Sequence, residues 1–512
     1  MTKINSYRGH IRNWEQLCDE LSIDKNLSRE DREKEILIKG YDKWNVNLPD
    51  HLYGMFAFSL EDEENDLIYC CRDHFGAKPF YYYVTDDKKL LCSTMIRDIL
   101  DMPGFVKELN EDMLQIYLTL TYVAGRHTFF KGLEKLLPGE YMIFKNGEAK
   151  ITKYWKPTFK IDETKSLDDF ADEIHETVKQ MFKEVKTDDE VATSFLSGGV
   201  DSAYVIAMSD VKEASCCGYE EEKFDESPFA KETADYCKRD FNRCVITPEE
   251  YFDIVPFVMY NMELPLGDAS AIAFTLGCKK TAEKYKLCYS GEGSDEFFGG
   301  YNMYRNAERY GENLKTFYVG NTNVMKEEDK MALLNNYNEN IKPIDLVKDL
   351  YDDMEGLDPL TKMCNVDINI WLEGDIYLNV DKMSTAFGLE IRMPLTDRRV
   401  FDIASRMPAK YKVNETQNKV AFRTAASKVL PEDIAFRKKL GFVVPIRMWL
   451  ADPKYNKHVV ETLHSDSAKK FFKQEEIDRI FDTYVNVNSD EWRKVWTIYT
   501  FLVWYEEYFV KR

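Results

Sequence analysis

No stretch of this chain approaches the roughly 20 apolar residues that a membrane-spanning helix needs. The most apolar run, Trp496 to Tyr505, is about half that and predicts a buried C-terminal helix. The opening MTKINSYRGH has no apolar core, so no secretory signal is expected. Eleven cysteines contain no CxxC pair and no regular spacing, only the neighbours Cys70-Cys71 and Cys216-Cys217. That usage predicts reduced thiols, not disulfides or structural zinc, and hence a cytoplasmic protein. Seven histidines form no HExxH or HxH arrangement, which argues against a histidine-ligated transition metal. Basic residues are outnumbered 69 to 90, and the net charge of -21 argues against nucleic acid as the principal partner. There is no internal repeat and no low-complexity tract.

What is present suits two domains, since 512 residues are too many for one hydrophobic core. From Tyr53 to Tyr83 short apolar runs (MFAFSL, LIYCC, FYYYV) alternate with turn-like stretches, the pattern of antiparallel hairpins. Lys131 to Trp155 continues it, with turns at Pro138-Gly139 and Asn146-Gly147. The pattern breaks around Pro157 to Ser166, which divides a sheet-rich domain (1–160) from a second domain (165–512) opening on an amphipathic helix, Leu167 to Val185. Strands are expected at Val191 to Leu196, Glu213 to Gly218 and Leu287 to Ser290, with a helix over Asp201 to Ser209. Strands separated by helices predict an α/β unit, a parallel sheet covered on both faces. From Leu357 onward the chain reads as mostly helical.

Two glycine-bearing segments carry the chemistry. Ser197-Gly198-Gly199-Val200-Asp201-Ser202 lies between an expected strand and helix. Its glycines let the backbone approach a ligand, and its hydroxyls, amides and helix N-terminus suit phosphate oxygens. It lacks the lysine of a Walker loop and matches the PP-loop, whose enzymes cut ATP between the α- and β-phosphates. The second segment, Ser290-Gly291-Glu292-Gly293-Ser294-Asp295-Glu296-Phe297-Phe298-Gly299-Gly300-Tyr301, concentrates three carboxylates where a triphosphate would repel them. A divalent cation between them resolves the conflict, with Asp201 and Asp295 as the Mg²⁺ pair and Glu292 left for acid-base work.

With these residues in view, the chain resembles the asparagine synthetase family and its relatives, the β-lactam synthetases, carbapenam synthetases and lasso-peptide cyclases. The resemblance runs from about Arg8 to the C-terminus, through Tyr219 to Ala230 (YEEEKFDESPFA), Glu263 to Ile272 (ELPLGDASAI), Asp381 to Asp397 (DKMSTAFGLEIRMPLTD), and Lys419, Arg423, Arg437, Lys439, Gly441, Phe442 and Pro445. It implies a PP-loop synthetase domain of the adenine nucleotide α-hydrolase type, preceded by an α+β domain resembling the N-terminal-nucleophile glutaminases. It implies ATP and Mg²⁺, adenylation of a carboxylate, and displacement of AMP by ammonia. By matching motif, Leu196, Ser197, Gly198, Gly199, Asp201, Ser202, Cys217, Ser290 and Gly291 would hold ATP. Lys439 would stabilise the departing pyrophosphate and Glu292 would take a proton from the attacking ammonium. β-Lactam synthetases have a tyrosine there, so Glu292, with the DES and GDAS segments, favours aspartate as substrate.

The resemblance also has gaps. Glutamine-dependent members carry an N-terminal cysteine nucleophile; here the second residue is Thr2, and the glutamine-binding segment that should follow is missing, so the first domain reads as truncated. The family's Asn-Gly-Glu-Ile-Tyr-Asn is degraded to Arg8-Gly9-His10-Ile11-Arg12-Asn13, with Arg8 in place of an oxyanion donor and Glu33 in place of the aspartate that holds the glutamine amine. No glutaminase activity is expected. Gly54 to Phe58, Arg72 to Pro79 and Leu137-Pro138-Gly139 are intact and predict scaffold packing against the second domain. An upstream start, a separate glutaminase or N-terminal fragment, or a dimer contact would cover the exposed sheet edge. Asparagine synthesis from aspartate and ammonia leads the readings. A tailoring ligase that amidates or cyclises another carboxylate, such as a sugar acid or a peptide, stands second. A silent regulatory homologue stands third, and a tRNA-thiolating or NAD-forming PP-loop enzyme leaves GEGSDEFFGGY unexplained.

Overall fold

A computed structural model of the chain describes residues 2–184, 191–438, 441 and 443–512. The first sheet contains β1 (Thr2–Ile11), β2 (Gly54–Asp62) and β3 (Leu67–Arg72). A smaller sheet follows from β4 (Tyr81–Val84), β5 (Leu90–Ser93) and β6 (Glu134–Lys135). The hairpin β7 (Glu140–Lys145) and β8 (Glu148–Lys153) returns to the first sheet, giving the antiparallel order β1-β2-β3-β7-β8. Asn146 and Gly147 both take positive φ, the geometry that matches hairpin twist.

Two helices not expected from the sequence, Trp14–Leu21 and Arg29–Trp44, cover this sheet. In the second, Ser28 caps the N-terminus by accepting from the Asp31 amide, and Glu33, Ile36, Leu37, Gly40 and Tyr41 form one buried stripe at helical spacing. The stripe packs on Phe56, Phe58 and Tyr69 from β2 and β3.

The second sheet is wholly parallel: β9 (Ala192–Phe195), β10 (Glu213–Gly218), β11 (Asp240–Val245), β12 (Leu287–Tyr289) and β13 (Glu390–Arg392), in the order β11-β10-β9-β12-β13. The chain winds outward from β9 through β10 to β11, then returns to the other side of β9 for β12. The crevice at the carboxyl ends of β9 and β12 is therefore the topological switch point, where open α/β sheets take their ligands. Strands β11 and β13 were not expected from the sequence. The amphipathic helix runs Leu167–Glu184, and Val185 of the expected span lies outside the described residues. The C-terminal helix Trp492–Tyr505 is buried as expected. Among the described residues no helix is long and apolar enough to cross a membrane, and all eleven cysteines are free.

The two halves meet along a charged seam. Arg12 donates to Asp397 Oδ2 (2.8 Å) and to the Met393 carbonyl (2.9 Å). Lys78 reaches Asp381 Oδ1 (2.8 Å), and Arg8 pairs with the same carboxylate at 3.0 Å. Beside them Phe75 stacks edge-on against Trp155 and Phe401 and tilts against Phe297. The intact Arg72 to Pro79 segment is thus packing against the second half.

Candidate active site

Strand β9 delivers the chain into Leu196-Ser197-Gly198-Gly199 and then the helix Val200–Met208. The turn supports itself: Gly199 N–H donates to Ser197 Oγ (3.1 Å), Ser197 N–H to Ser202 Oγ (3.0 Å), and Ser202 Oγ to the Gly199 carbonyl (3.2 Å). Two hydroxyls are thereby fixed beside a helix N-terminus, where unpaired amides and the helix dipole favour an anion.

Strand β12 feeds the second turn, Ser290 to Gly293, and the short helix Ser294–Phe298. The turns touch. A Cβ on Gly291 would stand 2.8 Å from the carbonyl carbon of Asp201 and 2.8 Å from the nitrogen of Ser202, so only glycine permits this approach. A cavity of about 620 Å³ opens there, and Leu196, Ser197, Asp201, Ser202, Cys217, Ser290, Gly291, Glu292 and Asp295 all line it. Burial pushes the Cys217 thiol up to about 12, so Cys217 forms wall and is no nucleophile. Gly198 and Gly199 are not on the cavity wall. Gly198 packs underneath, where a Cβ would meet Glu226 and Phe229 at 3.3 Å. Lys439 lies outside the described residues.

Asp201 and Asp295, each the second residue of the helix that follows one of the two turns, converge on Lys419. Its Nζ is 2.5 Å from Asp201 Oδ1 and 2.7 Å from Asp295 Oδ1, and it donates to Ser294 Oγ at 2.8 Å. Ser294 Oγ in turn donates to Asp201 Oδ1 at 2.5 Å. Among the described residues no group of three or more His, Cys, Asp and Glu side chains is arranged as a metal cage.

One expectation about the second turn needs correction: its three carboxylates do not all face the cavity. Glu296 is buried behind it, with Oε1 accepting from the Tyr301 hydroxyl (2.6 Å), which itself accepts from Trp371 Nε1 (3.0 Å). Burial, reinforced by the Asp295 charge, pushes its carboxyl up to about 8, so it is held neutral. Asp375, in the π-helical segment Leu372–Tyr377, is wholly buried, and among the described residues neither of its oxygens has a hydrogen-bond partner. Burial first, then Asp268, Glu296 and Glu292, drive its carboxyl well above the ordinary range.

Asp268, Lys419, Arg423 and Arg437, which match the family pattern without a role legible in the sequence, all line the cavity. Asp268 caps the helix Ala269–Ala282 through the Ser270 amide (2.9 Å). Arg305, Trp371 and Asn379 also line it and were missed. Arg305 comes from a 3-10 turn (Asn302–Asn306), Trp371 from the residue before the π-helical segment, and Asn379 from the helix Leu378–Ala386 that follows it, none with a local motif to reveal it.

In the first half Glu33 is buried and engaged. It accepts from the Tyr7 hydroxyl (2.8 Å) and the Ile11 amide (2.9 Å), and lies 3.2 Å from His10 Nδ1. Arg8 is turned into the seam toward Asp381.

Comparison with known proteins completes the description. Residues 173–506 match the family model described as asparagine synthase, and residues 3–155 match that of a glutamine amidotransferase domain. The chain is 30% identical to asparagine synthetase [glutamine-hydrolyzing] 1 of Bacillus subtilis (strain 168), over 99% of this chain and 86% of that protein. It is 24% identical to asparagine synthetase [glutamine-hydrolyzing] 3 of the same organism, over 93% of this chain and 81% of the relative. It is also similar to amidase chry2 of Gibberella zeae, at 30% identity over 57% of this chain and 45% of that protein.

Proposed function

The chain belongs to the asparagine synthase family, and from that premise we propose that it makes asparagine from aspartate and ammonia, with ATP as co-substrate split to AMP and pyrophosphate. Residues 1–160 serve as a glutaminase-derived scaffold without its own glutaminase chemistry, and residues 165–512 as the PP-loop synthetase.

The observation that carries this reading is the contact of the two turns at Gly291, which brings Ser197, Ser202 and Ser290 to one cavity with two carboxylates poised around a positive charge. Such a site can hold a triphosphate by hydroxyls, amides and a helix N-terminus, and leave the α-phosphorus open to a substrate carboxylate. Mg²⁺ suits it: that ion takes one or two carboxylates together with phosphate oxygens, not a full protein cage, and Asp201 and Asp295 offer such a pair. When bound it supplies charge neutralisation of the leaving pyrophosphate. Glu292, on the cavity wall, takes the proton of the incoming ammonium, and Lys439 stabilises the departing pyrophosphate.

Ammonia as nitrogen source is supported by the first half. Arg8, in place of an oxyanion donor, is spent on Asp381, and the Glu33 oxygens are taken by Tyr7 and Ile11. The test is pyrophosphate release across carboxylates, each with ammonia, glutamine or neither. Aspartate with ammonia as the active pair supports the reading; release that needs some other carboxylate would transfer the chain to the tailoring ligases.

A further inference from the structure

Lys419 is built into the site with unusual care. It is 2% exposed and sits at φ +57°, a left-handed conformation that a non-glycine residue adopts only when its surroundings impose it. The surroundings are explicit. Asn418 donates to the Gly300 carbonyl (2.8 Å) and accepts from Arg305 Nε (2.7 Å), while Arg423 Nε donates to the Asn418 carbonyl (3.0 Å). Gly300 leaves room for the lysine, since a Cβ there would stand 2.3 Å from Lys419 Cε and 1.7 Å from Asp295 Oδ1. The three hydrogens of an ammonium match the three acceptors Asp201, Asp295 and Ser294.

We propose that the Lys419 ammonium is the resident occupant of the divalent-cation position between Asp201 and Asp295, so that the pair admits a metal ion only together with a nucleotide whose phosphate oxygens receive the displaced ammonium. Two carboxylates brought this close out of water repel unless a cation lies between them, and the lysine provides one before any ligand arrives. A divalent ion held by the same two oxygens would stand against that ammonium at contact distance, where like charges exclude one another. Metal without nucleotide brings no acceptor for the displaced lysine. Metal with a triphosphate does, because the nucleotide adds acceptors of opposite charge at the turn Lys419 already reaches. Lys419 is on this account a positioning residue that makes metal and nucleotide binding interdependent. The inference rests on the nucleotide site proposed above.

The test is Mn²⁺ binding to the full-length protein followed by electron paramagnetic resonance, with and without a non-hydrolysable ATP analogue, and with analogue binding measured separately by fluorescence. Wild type should bind Mn²⁺ alone at least about tenfold more weakly than with the analogue present. Lys419→Gln should bind Mn²⁺ alone about tenfold more tightly than wild type and lose most of the coupling, whereas Lys419→Arg, which keeps the charge, should keep metal-alone binding weak. Equal Mn²⁺ affinity of wild type with and without analogue overturns the proposal, even if the glutamine variant does not fold. So does an arginine variant that behaves like the glutamine one. Failure of the wild type to bind the analogue at any metal concentration overturns the nucleotide site instead.

Discussion

Arg72 on β3 places Nη1 2.8 Å from Oε1 of Glu373, and Lys135 meets the same carboxylate at 3.1 Å, with each side chain no more than 2% exposed. One acid from the second half therefore neutralises two bases from the first. The Glu373 carboxyl is held below its usual range because those two positive charges outweigh the burial that opposes them. Removing the acid strands two buried cations. Glu373→Ala is expected to cost roughly 3–5 kcal/mol, the range for breaking a buried pair. Urea unfolding of wild type and variant checks this, and a loss under about 1 kcal/mol would show that the pair is not desolvated as described.

The glycine contact between the turns gives a second expectation. Gly291→Ala places a methyl 2.8 Å from backbone atoms of Asp201 and Ser202, which cannot yield as a side chain would. Nucleotide affinity should fall at least about tenfold with little change in the melting temperature, because the strain is local to the crevice. Titration with a fluorescent ATP analogue reads it directly.

Glu292→Gln separates the two half-reactions. It removes the carboxylate proposed as the base from the cavity wall and leaves the serine hydroxyls and the Asp201–Asp295 pair in place. Amide formation should drop by about 10²–10⁴-fold, the usual contribution of a positioned base, while aspartate-dependent pyrophosphate release persists. Parallel assays of asparagine and pyrophosphate decide it.

Two buried groups set opposite slopes in stability against pH. Burial, aided by the Arg398 charge, pushes His74 down to about 3, so the folded protein keeps it neutral while the unfolded chain takes up a proton below about 6.5. Its contribution is complete above about 6.5 and is lost as pH falls toward 3. Asp367 has the reverse sign. Burial raises its carboxyl to about 7 despite hydrogen bonds from Tyr304 (2.5 Å) and Tyr318 (2.6 Å), so stability declines as pH rises from about 4 to about 7. His74→Gln should flatten the acid limb and Asp367→Asn the near-neutral decline, each by about one proton in urea midpoints measured across pH.

The parts of the fold legible in the sequence were those with a local signature. The run ending at Phe195, the SGGVDS turn and the helix after it announce themselves within a dozen residues, as do the hairpins of β2 and β3. Strand β11 (DFNRCV) carries charge and mixed burial, as an outer strand of its sheet does, and β13 is three residues long, so neither has a readable period. The helix Arg29–Trp44 was hidden because its buried stripe includes Glu33 and Gly40, which no hydrophobic pattern would count. At the site, Ser197, Asp201, Ser290 and Asp295 were legible because a strand end and a glycine turn fix each one locally. The place of Lys419 was not: it meets Asp201 from 218 residues away, through a left-handed backbone residue and a space left by Gly300. Pairings of that length follow from how the elements pack.

The central claim is that this crevice activates a carboxylate for attack by ammonia with no help from glutamine. Pyrophosphate and asparagine should be measured together for the wild-type protein with ATP, Mg²⁺ and aspartate, offering either ammonium or glutamine. The account predicts both products in equal amounts with ammonium and no asparagine with glutamine. Asparagine formed from glutamine as the sole nitrogen source would contradict it.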